Sequence, residues 1–121
     1  MNTLDNPVVD KSFKFSIRIV NCYKHLIKQN KDLKSLFYQL LRSGTSIGAN
    51  IAESQAAASK TDFRNKLRIS LKEAFETEFW IKLFFETRII GKKEFASLSG
   101  DCIEIMKLII SIIKNINVKT N

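Results

Sequence analysis

A chain of 121 residues can bury a core without disulfides or a structural metal and needs no second domain, so residues 1–121 are read as one unit. Apolar residues make up 45% of it and glycine and proline number only 4 and 1, which excludes disordered and fibrous classes and favours helix. The formal charge of +8 would attract nucleic acid, anionic membrane or acidic proteins, and would equally serve as a soluble, self-repelling surface.

The first predicted helix covers residues 7–29. Asn6 reads as its N-cap and Pro7 occupies the first helical position, where a missing N–H is harmless. Lys14, Arg18, Asn21, His25 and Lys28 recur at steps of three and four, and apolar residues fill the rest of the wheel. That apolar arc is wider than the stripe of a helix packed on one neighbour, so this helix must be covered from more than one direction.

Asn30-Lys31-Asp32 is a polar turn, with Asp32 as a cap for a second helix over residues 32–58. Leu33, Leu36, Leu40, Ile47 and Ile51 set its apolar line, and Gly44 and Gly48, four residues apart, leave room for another helix to approach closely. Ser59 or Thr61 then caps a third helix over 60–90, with Asp62 favourable in its first turn and Gly91 as its C-terminal stop. A fourth helix spans 93–117, regular from about Asp101, its polar residues Glu104, Lys107, Ser111 and Lys114 keeping a helical period against an isoleucine-rich background. The tail from Val118 to Asn121 is expected to fray.

Four helices joined by short turns make an all-α, antiparallel up-down-up-down four-helix bundle. The first and last are apolar on so many sides that a homo-oligomer is expected to use them as contacts; the alternative is a core filled by phenylalanines and isoleucines.

A polar line, Ser43, Ser46, Asn50 and Glu53, runs beside the apolar face of the second helix. If helices two and three form a hairpin, residues whose numbers sum to about 119 share a height, by the helix rise. Ser46 then faces Glu73, while Arg42 and Ser43 lie near Glu76. A carboxylate on an apolar face needs donors, and Arg42, Ser43, Ser46 and Asn50 are in reach. Trp80, a further turn along, also has an N–H to satisfy. The cluster reads either as a structural network fixing register or as a ligand or metal site of Glu53, Glu73 and Glu76. A di-iron bundle would need paired Glu-x-x-His motifs, and the single histidine, His25, stands on the wet face of the first helix, so neither metal nor cofactor is expected.

Catalytic patterns are missing too. There is no Gly-x-Ser-x-Gly elbow or His-Cys pairing, and SGTSIG lacks the Gly-Lys-Ser/Thr of a P-loop. Cys22 and Cys102 are far apart and outside any CxxC pair. The chain is expected to be no enzyme. MNTLDNPVVDK lacks the basic region and apolar run of a secretory signal, so reduced thiols and a cytoplasmic location are expected. No apolar run approaches the roughly 18 residues of a membrane span, and no membrane partner is expected.

Lys60, Arg64, Lys66, Arg68 and Lys72 crowd the start of the third helix, Arg64, Arg68 and Lys72 forming a ridge at steps of four; Lys14 and Arg18 add to the basic surface from the first. Such ridges neutralise phosphates and give affinity that falls with salt. No zinc finger, RNP sequence or recognisable helix-turn-helix accompanies them, so binding of RNA or DNA through phosphates, without sequence specificity, is the expectation. A protein-interaction scaffold whose charge serves solubility is the alternative.

LLRSGTSIGANIAES at 40–54, followed by SKTDFRNKLRISLKEAFETEFWIKL, resembles the signature of the 23S rRNA intervening-sequence proteins, also called the four helix bundle protein family. Arg42, Ser46, Asn50, Glu53, Glu73, Glu76 and Trp80 would correspond to its characteristic positions. The resemblance covers nearly the whole chain and implies a cytosolic bacterial bundle, commonly a ring-like pentamer, often encoded in insertions within large-subunit rRNA genes. More remotely the chain resembles the accessory protein of diversity-generating retroelements, a basic pentameric bundle, which implies nucleic acid and a reverse transcriptase as partners.

Overall fold

The computed structural model describes residues 6–120, with side chains described through residue 116. It contains four helices: α1 (Pro7–Gln29), α2 (Lys34–Ser54), α3 (Lys60–Glu86) and α4 (Lys92–Thr120). Consecutive helices run antiparallel and pack side by side, α1 on α2, α2 on α3 and α3 on α4, while the closing contact between α1 and α4 is the least extensive. The core is a column of fully buried Phe15, Ile19, Phe37, Leu40, Ile47, Ile51, Leu67, Ile81 and Phe84, completed by Ile105 and Ile109 of α4. Phe37 and Phe84 meet edge to face, with ring centroids 5.4 Å apart.

Local chemistry sets most helix ends. The Asn6 side chain accepts from the Val9 amide at the start of α1. Ser59 accepts from the Asp62 amide while Asp62 accepts from Ala58 N–H, a reciprocal arrangement that opens α3.

Four boundaries depart from the sequence reading. Asn30, not Asp32, is the capping side chain, and what it caps is a single 3-10 turn, Lys31–Leu33, ahead of α2. α2 ends at Ser54 instead of continuing to residue 58, although Ala56, Ala57 and Ala58 are good helix formers. The chain must reverse there to lay α3 against α2, and the Asp62 carboxylate takes the Ala58 amide out of helical use.

α3 stops at Glu86, ahead of Gly91. Arg88 takes a positive φ of 64°, Arg88 N–H donates to Phe85 C=O and Ile89 N–H to Phe84 C=O, so the closing turn is a Schellman motif with arginine in the left-handed position that glycine usually fills. Gly91 has no positive φ and lies one residue before α4. α4 is regular from Lys92 and continues to Thr120, absorbing most of the expected tail; Asn121 lies outside the described residues.

The wide apolar arcs divide between core and surface. On α4, Ile105 and Ile109 are buried and Leu108, Ile110, Ile112 and Ile113 half-buried, so the bundle absorbs most of that arc. On α1, Phe13 and Ile17 remain 67% and 48% exposed.

Candidate nucleic-acid interface

The α2/α3 seam carries the polar cluster. Arg42 donates to Glu73 at 3.1 Å and to Glu76, and its Nε to Gln39 at 3.3 Å; Trp80 Nε1 donates to Glu76 at 3.0 Å. Glu73 is only 8% exposed, and the guanidinium supplies the charge that its burial demands. Beside this cluster, Thr77 donates to Ser43 at 3.0 Å and Ser70 to the Ile47 carbonyl at 2.8 Å, each bond tying α3 to α2.

Ser46 and Asn50 do not reach Glu73. The Ser46 hydroxyl donates to the Arg42 carbonyl at 2.7 Å and the Asn50 amide to the Ser46 carbonyl at 2.8 Å, both within α2. Short polar side chains bond back into their own helix readily, and the longer arm of Arg42 spans the seam instead. Glu53 is also separate, pairing with Lys66 at 3.0 Å near the turn. Glu73 and Glu76 therefore meet on Arg42 while Glu53 stands apart, and among the described residues no three His, Cys, Asp or Glu side chains converge as metal ligands do.

Gly44 and Gly48 face α1. A Cβ on Gly44 would meet Ile19 Cγ1 at 2.8 Å, and one on Gly48 would meet Ser16 Oγ at 2.7 Å and the Ser12 carbonyl oxygen at 3.0 Å. The α1 backbone can approach α2 at Gly48 only because that position lacks a side chain.

The seven cations read as a basic face separate into groups. Arg18 pairs with Asp101 at 2.6 Å, tying α1 to α4; Lys14 pairs with Asp10 at 3.1 Å; Lys66 pairs with Glu53, an ion pair that raises the lysine pKa. Lys60, Arg68 and Lys72 are exposed on α3, and Arg68 and Lys72 make no ion pair among the described residues. Arg64 is half-buried at the edge of this face.

The same face holds two side chains that sequence reasoning passed over, Phe75 and Phe79, 58% and 57% exposed. The legible signal was spacing: both lie off the core line of Phe63, Leu67, Ala74, Ile81 and Phe84, at the same step of four as Arg68 and Lys72. The acids of α3 leave this surface basic. Glu73, Glu76 and Glu78 turn into the seams, and Asp62 and Glu86 stand at the two ends of the helix.

Against α4, Ser99 donates to Glu78 Oε2 at 3.1 Å, and the other Glu78 oxygen is buried with no hydrogen-bond partner among the described residues. Burial raises the Glu78 pKa, and the Ser99 bond partly opposes the shift. Both cysteines are free and buried. Burial pushes the Cys22 thiol up to about 11 and, with help from Glu78, the Cys102 thiol up to about 12, so at neutral pH each is protonated, the poorly nucleophilic form.

An all-α bundle with a polar α2/α3 seam and a basic outer helix is the class of protein that this geometry defines. The model of the 23S rRNA-intervening sequence protein family matches residues 4–111, and the chain belongs to that family. It is similar to a crystallised protein of unknown function from the S23 ribosomal protein family of Bacteroides thetaiotaomicron, with 50% sequence identity, a TM-score of 0.84, and coverage of 88% of this chain and 98% of the other. No curated protein matches the chain. Among the described residues no helix is long and apolar enough to cross a membrane.

Proposed function

We propose that this protein is a non-enzymatic, cytoplasmic, self-associating bundle that binds RNA or DNA through phosphate contacts on the outer face of α3. The observation that carries the reading is the exposure of Arg68 and Lys72 without ion-pair partners among the described residues, on a chain of formal charge +8. Cations already satisfied by carboxylates offer phosphate little net gain, whereas these release DNA or RNA counterions when they bind. Lys60 and Arg64 extend the face toward the start of α3; Lys14, Arg18 and Lys66, each engaged by a carboxylate, contribute less. The family name, which refers to an intervening sequence of 23S rRNA, agrees with RNA as the ligand class.

The test is binding to a structured RNA across a salt series. Affinity should fall steeply with salt, and Arg68→Glu with Lys72→Glu should weaken binding and lower the salt slope by roughly one unit per lost contact. No binding at low salt, or binding indifferent to these substitutions, overturns the reading.

Self-association is assigned to the α1 face. Phe13 and Ile17 are exposed there next to a groove formed with Gly48 and Ala52 of α2, and the neighbouring Asp10 and Lys14 neutralise each other. A pentamer is the number that the family resemblance implies. Sedimentation should give an oligomer for the native chain and a smaller species for Phe13→Glu. The same apolar face favours a second reading, a protein-interaction scaffold; a monomer that captures a protein partner regardless of nuclease treatment would support it.

A further inference from the structure

Phe75 and Phe79 contribute little to the core, since more than half of each side chain's surface faces solvent. They stand four residues apart on α3, about 6 Å along the helix axis. Arg68 and Lys72 precede them and Lys82 follows, all exposed. The Ser99–Glu78 bond and the Cys102 Sγ contact with the Ala74 carbonyl set the α3/α4 register, which places exposed Ile103 at the height of Phe75 and exposed Lys107 one turn further along α4. The result is a pair of exposed rings flanked on α3 by Arg68 and Lys72 on one side and Lys82 on the other.

We propose that this face binds single-stranded nucleic acid, with bases stacking on Phe75 and Phe79 while Arg68, Lys72 and Lys82 hold the phosphates. The proposal rests on the nucleic-acid reading above and adds the form of nucleic acid recognised. Aromatic rings flanked by cations suit an unpaired strand, because every base has a π-face to stack and every nucleotide a charge to neutralise. In a duplex the base faces are already stacked, and the rings would meet only sugar and phosphate. Bases along a strand stack about 3.4 Å apart, so rings at twice roughly that spacing can take successive or alternate bases.

A second copy of this chain is the poorer occupant. It too carries +8, and the centres of protein interfaces are depleted in charge. The near-neutral Phe13 and Ile17 surface suits that role better.

The experiment measures binding of a fluorescent 20-nucleotide oligouridine and of a 20-base-pair RNA duplex to the intact protein. Native protein should prefer the oligouridine. Phe75→Ala with Phe79→Ala should weaken oligouridine binding by roughly tenfold or more and leave duplex binding within about twofold, while Phe75→Tyr with Phe79→Tyr keeps both. Arg68→Glu with Lys72→Glu should weaken both ligands. Preference for the duplex, or oligouridine binding unaffected by the alanine pair, overturns the stacking site while leaving phosphate binding intact. Loss of oligomer mass in the alanine pair with unchanged oligouridine binding overturns it in favour of an interface between copies. Failure of native protein to bind either ligand at low salt overturns the underlying reading as well.

Discussion

Toward α1, helix α2 presents Gly44 and Gly48, with the Ile19 side chain closing in on the first and the Ser12 backbone on the second; toward α3 it presents Arg42 and Ser43, whose partners Glu73, Glu76 and Thr77 are matched atom by atom. The first seam is held by shape and the second by polar pairing. Shape complementarity fails through overpacking, whereas a polar seam fails when one partner is removed and the other stays buried. One helix thus shows two kinds of sensitivity to substitution, and each can be measured separately.

The largest effect should come from Arg42→Leu, which leaves the buried Glu73 carboxylate without its cation. A loss of about 3 kcal/mol in urea denaturation is expected, and adding Glu73→Leu should restore at least half of it. If the double variant is no better than the single, the seam is held by packing and the contrast collapses.

Gly48→Ala comes next, at about 2 kcal/mol, because α1 must move away from a Cβ close to the Ser12 carbonyl. Unchanged stability there would mean that α1 gives way without cost.

The α3/α4 seam offers an intermediate case, a carboxylate answered by one neutral hydroxyl. Folding raises the Glu78 pKa, so the stabilisation tied to its protonated form is complete below the ordinary glutamate range and is lost as pH rises through the folded value. Glu78→Gln should therefore stabilise the protein at neutral pH, by less than about 1 kcal/mol at this half-buried site. The gap to the native chain should close as acid titrates the glutamate. A gap that widens in acid would contradict the direction of the shift.

Ser46→Ala should be the mildest, within about 0.5 kcal/mol, since its hydroxyl bonds only to its own helix. A cost comparable to that of Arg42→Leu would reinstate it as a donor to Glu73.

Much of this was legible in the residues. The Asn6-Pro7 start of α1, the Ser59 cap of α3, the close-packing glycines and the pairing height of α2 with α3 all follow from short-range chemistry and a fixed helical rise. Arg42, Glu73, Glu76 and Trp80 were recognisable as one cluster for the same reason, while the hydroxyl of Ser46 and the amide of Asn50 found nearer acceptors in their own helix. The basic ridge was visible as spacing, but which cations stay unpaired among the described residues was not, because Asp101 reaches Arg18 from α4 and Glu53 reaches Lys66 across the α2/α3 turn.

The sequence by itself determined four amphipathic helices, their order and their antiparallel pairing, since periodicity and capping act within a few residues. Only the tertiary structure decided that α2 stops four residues before its expected end, that α3 closes on Arg88, and that Arg18 is taken up by Asp101 of α4 while Arg68 and Lys72 stay exposed. Those outcomes depend on how each helix is rotated against its neighbours. That rotation is set by the sum of all seam contacts, which no local window of the chain contains.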